Sequence, residues 1–219
     1  MAKIFSEDSK LMAFLAGICD ILLLGFLWLM FSVPIITIGA STTAAYYTMV
    51  KGIRKKRGYI WKNFWKSFKM NFVPATILWV ISIALDLLFM FNIYYCFNFI
   101  EGKGAYVLMG VYALILILLL MTEVYLFPVL SRFNMKVKEI MKTCFFLGIK
   151  HLPFTVIMIV IFLAELLTIY VSVLVYPLGM ILVGSLFTFL MSLPMEVILK
   201  KYTPEYDEED HSHDQWYSE

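Results

Sequence analysis

The chain has 219 residues, of which 62% are hydrophobic and 16% are charged, whereas soluble domains average about 45–50% and 25%. This composition excludes an ordinary soluble globule. It predicts an all-α fold, a polytopic bundle of transmembrane helices. The formal net charge is only +2, which predicts no nucleic-acid partner, so the positions of the charges are more informative than their sum.

The first apolar stretch, residues 11–50, carries a single charge, Asp20. We expect it to be retained rather than cleaved as a signal peptide, because it contains this acid and has no small-residue cleavage site. As one helix it would be about 60 Å long, twice the ~30 Å hydrocarbon core, so it must turn. Pro34 disfavours helix locally and predicts spans over about 11–33 and 35–50. The alternative is a re-entrant stretch, with five crossings and the N-terminus outside.

The segment that begins at this proline combines small and hydroxyl side chains. Its candidate residues are Pro34, Thr37, Gly39, Ser41 and Thr42. Small residues spaced four apart allow another helix to approach closely, which favours a packing motif. A hydroxyl-lined path for a substrate is the alternative.

A basic, aromatic segment follows at residues 54–71. Its aromatic side chains recur at helical spacing on one face and its lysines lie on another. The candidate residues are Trp61, Lys62, Phe64, Trp65, Lys66, Phe68, Lys69 and Asn71. The pattern predicts an amphipathic cytoplasmic helix in the membrane interface, with its cations toward anionic lipid headgroups. Docking of a cytoplasmic partner protein is the alternative.

The remaining apolar stretches predict four more spans, at about 72–99, 105–131, 152–175 and 178–199, which makes six in a membrane domain over residues 1–202. A shift of 79 positions aligns Asp86 and the two leucines after it with Glu165 and the leucines after it. This match favours repeated helical hairpins, although apolar sequences match one another readily.

The basic residues predict the orientation of the bundle. In a six-crossing arrangement, 17 of the 18 Lys and Arg residues lie on one side, and only Lys103 lies on the other. The positive-inside rule therefore predicts a multi-pass protein of the bacterial cytoplasmic membrane with both termini in the cytoplasm.

The candidate acids within the predicted spans are Asp20, Asp86, Glu123 and Glu165. An acid at the centre of a transmembrane helix costs about 2.5–3.5 kcal/mol on insertion scales, so such acids are candidates for a proton-accepting or polar-substrate site. Hydration near the outer interface is the alternative for Asp20, Asp86 and Glu165.

The sequence predicts no catalytic, cofactor or metal site. It lacks the His-Glu-x-x-His, Gly-x-Ser-x-Gly and phosphate-loop patterns, so we expect a non-enzymatic protein.

The three cysteines have no motif spacing and predict small buried hydrophobic residues. Residues 203–219 form an acidic tail, for which solvation in the cytoplasm is favoured over metal binding at its His-Ser-His.

Two stretches carry a resemblance to a known family. Residues 28–41, which contain Pro-x-x-Thr-x-Gly-Ala, and residues 64–72, which contain Phe-Lys-x-Asn-Phe, are similar to hallmark segments of the YesL family. Members are bacterial integral membrane proteins with a domain of unknown function, and they often have Asn where this chain has Gly25. The resemblance implies a Gram-positive source and a gene neighbourhood of carbohydrate uptake. From this association we expect an accessory role beside components of a carbohydrate ABC transporter. The acids within the predicted spans support the alternative, a small proton-linked carrier or channel. Neither hypothesis specifies the oligomeric state.

Overall fold

The structure, a computed structural model, describes residues 10–55, 58–133, 135–176 and 179–203, and this part of the chain is a helical bundle without strands. The prediction of an all-α fold is therefore confirmed. The elements in chain order are α1 Lys10–Ser32, a 3-10 turn Ile35–Thr37, α2 Ile38–Thr48, a π-helical turn Met49–Arg54, α3 Ile60–Phe99, α4 Lys103–Arg132, α5 Val137–Lys150, α6 Leu152–Val175 and α7 Met180–Leu199.

The short helix α2 lies at the centre of the bundle. It packs against α1, α3, α4 and α7, and Ala40, Ala44 and Ala45 on it are fully buried. Small side chains let four neighbouring helices approach its backbone. The centre of the protein is therefore built on a helix that is rich in Gly, Ala, Ser and Thr rather than in large apolar residues.

Five helices, α1, α3, α4, α6 and α7, are long and apolar enough to cross a membrane, which indicates insertion in a bilayer. The predicted span over 35–50 differs from this group, because its α-helical part has only 11 residues and rises about 16 Å. Five is the number of crossings in the re-entrant alternative. The number of crossings and the side of the termini stay predictions.

Helix α3 extends further than the sequence pattern predicts. We expected an amphipathic segment over 54–71 and a separate span from 72, but one helix of 40 residues runs from Ile60 to Phe99. Pro74 lies inside it. A proline removes one backbone hydrogen bond, and membrane helices tolerate this where neighbouring groups satisfy the freed carbonyl. The basic, aromatic residues from Ile60 onward therefore form the first turns of a helix that is long and apolar enough to cross a bilayer.

Helices α3 and α4 form a long hairpin whose turn is closed by Gly102 at φ 99°, a backbone conformation that glycine adopts without a steric penalty. We call residues 83–123 the outer half of the hairpin. Within it, only Cys96 and Ala105 are buried. The other side chains of this half are exposed or half-buried, so little of the described protein covers them.

The opposite end of the bundle carries most of the described cations, and we call it the basic end. Contacts of Gly52 with Ile60, of Arg54 with Ser192 and of Arg132 with Glu196 bring together the π-helical turn, the start of α3 and the last turns of α4 and α7. Helix α5 packs against α4 and α6 and completes this end.

The prediction that all three cysteines are buried is confirmed for two of them and is wrong for Cys19. Cys96 lies in α3 and Cys144 in α5, whereas Cys19 on α1 is exposed. Burial raises the pKa of the Cys144 thiol, because the thiolate would lose its hydration. Cys144 is therefore an inert packing residue of the α5 interface.

Candidate functional site

Two of the predicted intramembrane acids meet between α3 and α4. Asp86 and Glu123 lie close enough to interact electrostatically, and Ser82 lies beside Glu123. One oxygen of each acid, Oδ1 of Asp86 and Oε1 of Glu123, is buried without a hydrogen-bond partner. Like charges at close range repel each other, so two neighbouring carboxyl groups in an apolar interior favour sharing one proton.

The other two acids are not part of this pair. Asp20 on α1 and Glu165 on α6 are half-buried, and neither is among the groups that interact with Asp86 or Glu123. Alignment of the two hairpins by 79 positions would place Tyr202 opposite Glu123, so the pairing in the first hairpin has no counterpart in the second. The four candidate acids therefore do not form one cluster, and only Asp86 and Glu123 are neighbours.

A second buried polar cluster, which the sequence analysis did not identify, lies near the basic end. The guanidinium of Arg132 donates to both oxygens of Glu196, with Nη1 at 3.2 Å from Oε1 and Nη2 at 3.3 Å from Oε2. The Tyr46 hydroxyl donates to Oε1 of the same carboxylate at 3.1 Å. Arg132 is 8% exposed and Glu196 is 4% exposed. The cluster joins α2, α4 and α7 through one ion pair.

Two further cations lie beside this cluster in the π-helical turn. The Arg54 guanidinium donates to the carbonyl oxygen of Ser192 at 2.6 Å and to its hydroxyl at 3.2 Å. The Lys51 ammonium donates to the Tyr47 hydroxyl at 3.1 Å. A π-helical turn widens the backbone by one residue. The Arg54 contacts tie the π-helical turn to α7, whereas the Lys51 contact joins that turn to the end of α2.

A sequence signal for this cluster exists, although it is weak. Glu196 interrupts an apolar stretch in the last predicted span, and Arg132 directly follows the fourth. An acid and an arginine at the same depth of two helices are expected to pair, because neither is stable alone in an apolar interior. Lys200 and Lys201 lie close to Glu196 in sequence. The sequence pattern therefore places this acid at the membrane interface rather than in the interior of the bundle.

The structure places the predicted interface residues on both sides of α3. Phe64, Phe68 and Asn71 are buried, and the ring of Phe31 on α1 lies 5.5 Å from that of Phe64 and 5.0 Å from that of Phe68. These three residues therefore point into the bundle and are not available to lipid or to a partner. They are buried because α1 covers the aromatic face of α3.

The other members of this group lie nearer the surface. Trp61, Lys62 and Lys69 are exposed, and Trp65 and Lys66 are half-buried. Trp61 and Trp65 stack at 6.1 Å, and the Lys69 ammonium lies 4.8 Å from the centre of the Trp65 ring. This edge of α3 can contact lipid headgroups.

The motif that begins at Pro34 lies mainly inside the bundle. A Cβ added to Gly39 would lie 2.7 Å from the carbonyl oxygen of Ala75, so only glycine fits there. The Thr37 hydroxyl donates to the carbonyl of Phe31 at 2.6 Å, and the Trp28 indole donates to the Thr42 hydroxyl at 3.2 Å. The Ser41 hydroxyl is buried without a partner, and Pro34 is exposed.

A cleft of about 440 Å³ opens at the basic end between α4, α5 and α7. Its walls include Phe133, Phe146 and Leu199, and its polar groups include Lys142, Lys150 and Tyr202. None of the intramembrane acids lines it.

Among the described residues, no group of three or more His, Cys, Asp or Glu side chains is arranged to hold a metal ion. The His-Ser-His of the tail lies outside the described residues.

Comparison with known proteins adds a partial match. The model of a family described as "Protein of unknown function, DUF624" matches residues 21–93, which include α2, the Pro34 motif and most of α3 up to Asp86 and beyond. No curated protein and no solved structure matches the chain. One third of the chain is thus similar to a domain of unknown function, and the apolar helices indicate a membrane protein.

Proposed function

We propose that this chain is a non-enzymatic accessory protein of bacterial carbohydrate uptake, which docks in the membrane on a component of an ABC transporter. The uncovered outer half of the α3–α4 hairpin carries this proposal. Between residues 83 and 123 only two side chains are buried, so these two helices have contact surface to offer to helices of another protein.

The side chains of this surface support a protein partner as well as lipid. The amide of Asn92 donates only to the carbonyl of Leu88 on its own helix, and that of Asn98 donates to the carbonyl of Tyr94. Polar side chains on the face of a membrane helix can hydrogen-bond across to a second helix. Tyr94, Tyr95 and Tyr106 are exposed nearby and suit the outer boundary of the bilayer. The link to carbohydrate uptake comes from the family resemblance alone.

Purification from native membranes tests this proposal. We expect the tagged wild-type chain to bring transporter components with it. Trp substitutions at Met90 and Leu114, two exposed positions of the outer half, should reduce this recovery at least about tenfold, because a bulky ring separates two packed helices. Trp substitutions at Leu163 and Leu167, exposed on α6, are the matched control and should have no effect.

The same variants separate an uptake role from other roles. A deletion strain should grow poorly on polysaccharides and should be restored by wild type and by the α6 control, but not by the hairpin variant. Recovery of the chain without any transporter component, or equal loss in both variants, would contradict the proposal.

The paired acids favour a second candidate, a small proton-linked carrier. A shared proton between Asp86 and Glu123 can be exchanged without leaving an isolated charge in the bilayer. We expect Asp86→Asn and Glu123→Gln each to reduce proton-coupled flux into liposomes by roughly 10–100-fold, whereas Glu165→Gln, outside the pair, should preserve it. Absence of flux with the wild-type chain would remove this candidate, as would transport that both substitutions leave unchanged.

A further inference from the structure

From the cleft at the basic end we infer a binding site for one anionic phospholipid, whose phosphate lies between Lys142 and Lys150 and whose acyl chain lies against Phe133, Phe146 and Leu199. This site is independent of the docking role proposed above. The distribution of charged and apolar groups around the cleft carries the inference.

The polar groups of the cleft match a phosphate. Lys142 and Lys150 are exposed and both line the cleft, together with the hydroxyl groups of Thr143 and Tyr202. No acidic side chain lines it, and no described carboxylate forms a salt bridge with either lysine. Ammonium and hydroxyl groups are the donors that bind phosphate oxygens. The cleft therefore has donors and net positive charge but no anion in the described part of the chain.

The surroundings strengthen the positive field. The Lys150 ammonium lies 5.0 Å from the centre of the Tyr202 ring, and the Tyr202 hydroxyl is 2.9 Å from Nε2 of His151. Partial burial and the nearby charges of Lys201 and Lys150 lower the pKa of His151. An anion in the cleft would offset these cations, which makes His151 a reporter of occupancy.

The apolar groups indicate a lipid rather than a soluble anion. Phe133 follows the end of α4 and Leu199 ends α7, so the cleft begins where two candidate spans end. On α5, Phe145, Phe146 and Ile149 are exposed in the same turns as the two lysines. Such a helix lies at the bilayer boundary, with its apolar side chains toward the acyl chains and its lysines toward the headgroups.

Native mass spectrometry of the full-length chain, reconstituted with phosphatidylcholine and phosphatidylglycerol, tests this site. We expect one retained phosphatidylglycerol per chain. Lys142→Gln combined with Lys150→Gln should weaken its binding roughly 30-fold, about fivefold for each lysine. Lys136→Gln combined with Lys138→Gln removes the same charge from exposed positions of this end outside the cleft lining and should leave retention unchanged. Glycerol phosphate, which has the headgroup chemistry without acyl chains, should not displace the lipid.

Titration of the His151 ring by NMR gives an independent readout that does not depend on retention in the gas phase. In a chain with His211 and His213 replaced by Gln, addition of phosphatidylglycerol should raise the pKa of His151 in wild type and in the Lys136/Lys138 control, and not in the Lys142/Lys150 variant.

Three results would overturn the inference. The first is equal retention of phosphatidylcholine and phosphatidylglycerol, and the second is equal loss in the two double variants. The third is binding of phosphatidylglycerol only after the chain is ended at Thr203, since the acidic tail would then be the natural occupant of the cleft.

Discussion

Glu196→Gln is expected to lower the free energy of unfolding by about 3–5 kcal/mol, the usual cost of removing one partner of a buried ion pair. Glutamine keeps the size of the side chain and can still accept the hydrogen bond from Tyr46. It leaves the guanidinium of Arg132, which is almost fully buried, without a counter-charge. Because Arg54 lies close to the same turn of α7 through Ser192, loss of the anion also increases repulsion among cations.

Unfolding of the purified protein in mixed detergent micelles measures this effect. Glu101→Gln, at an exposed acid between α3 and α4, is the matched control and should change the free energy of unfolding by less than about 0.5 kcal/mol. The paired change of Arg132 to Met with Glu196 to Leu removes both charges together and should recover most of the lost stability. A loss below about 1 kcal/mol for Glu196→Gln would mean that water reaches the ion pair.

The class of fold and the presence of long apolar helices follow from hydropathy and length, because backbone groups in a bilayer must be satisfied within each helix. The turn at Gly102 and the start of α6 near His151 lie close to where polar residues and proline predict them. The continuous α3 does not follow from this pattern. An internal proline ends most soluble helices, and whether Pro74 ends this one depends on neighbours that the local sequence does not specify.

Side-chain partners were harder to predict than the helices. Hydropathy identified Asp86 and Glu123 as unusual residues of two adjacent spans, but their contact depends on how far α3 slides along α4. The aromatic residues of α3 show the same limit. Their helical spacing predicted one apolar face, and only the position of Phe31 on α1 decides that this face contacts protein rather than lipid.

The second large effect is expected at the crossing of α1 and α7. A Cβ on Gly25 would collide with the carbonyl carbon and oxygen of Ile181, and a Cβ on Gly184 would collide with the Trp28 ring. A carbonyl in a helix cannot rotate away, so the two helices must separate, and the contacts of Leu24 and Leu27, both fully buried, are weakened with them.

We therefore expect Gly25→Ala to lower the free energy of unfolding by about 3 kcal/mol, at the upper end of the cost of overpacking, and Gly25→Val to lower it further. Gly17→Ala is the matched control on the same helix, because no atom lies within 4 Å of its added Cβ, and it should be neutral or stabilise α1 by up to about 1 kcal/mol. Unfolding in micelles measures both variants. If Gly25→Ala behaves like Gly17→Ala, α1 does not pack against α7 at this distance.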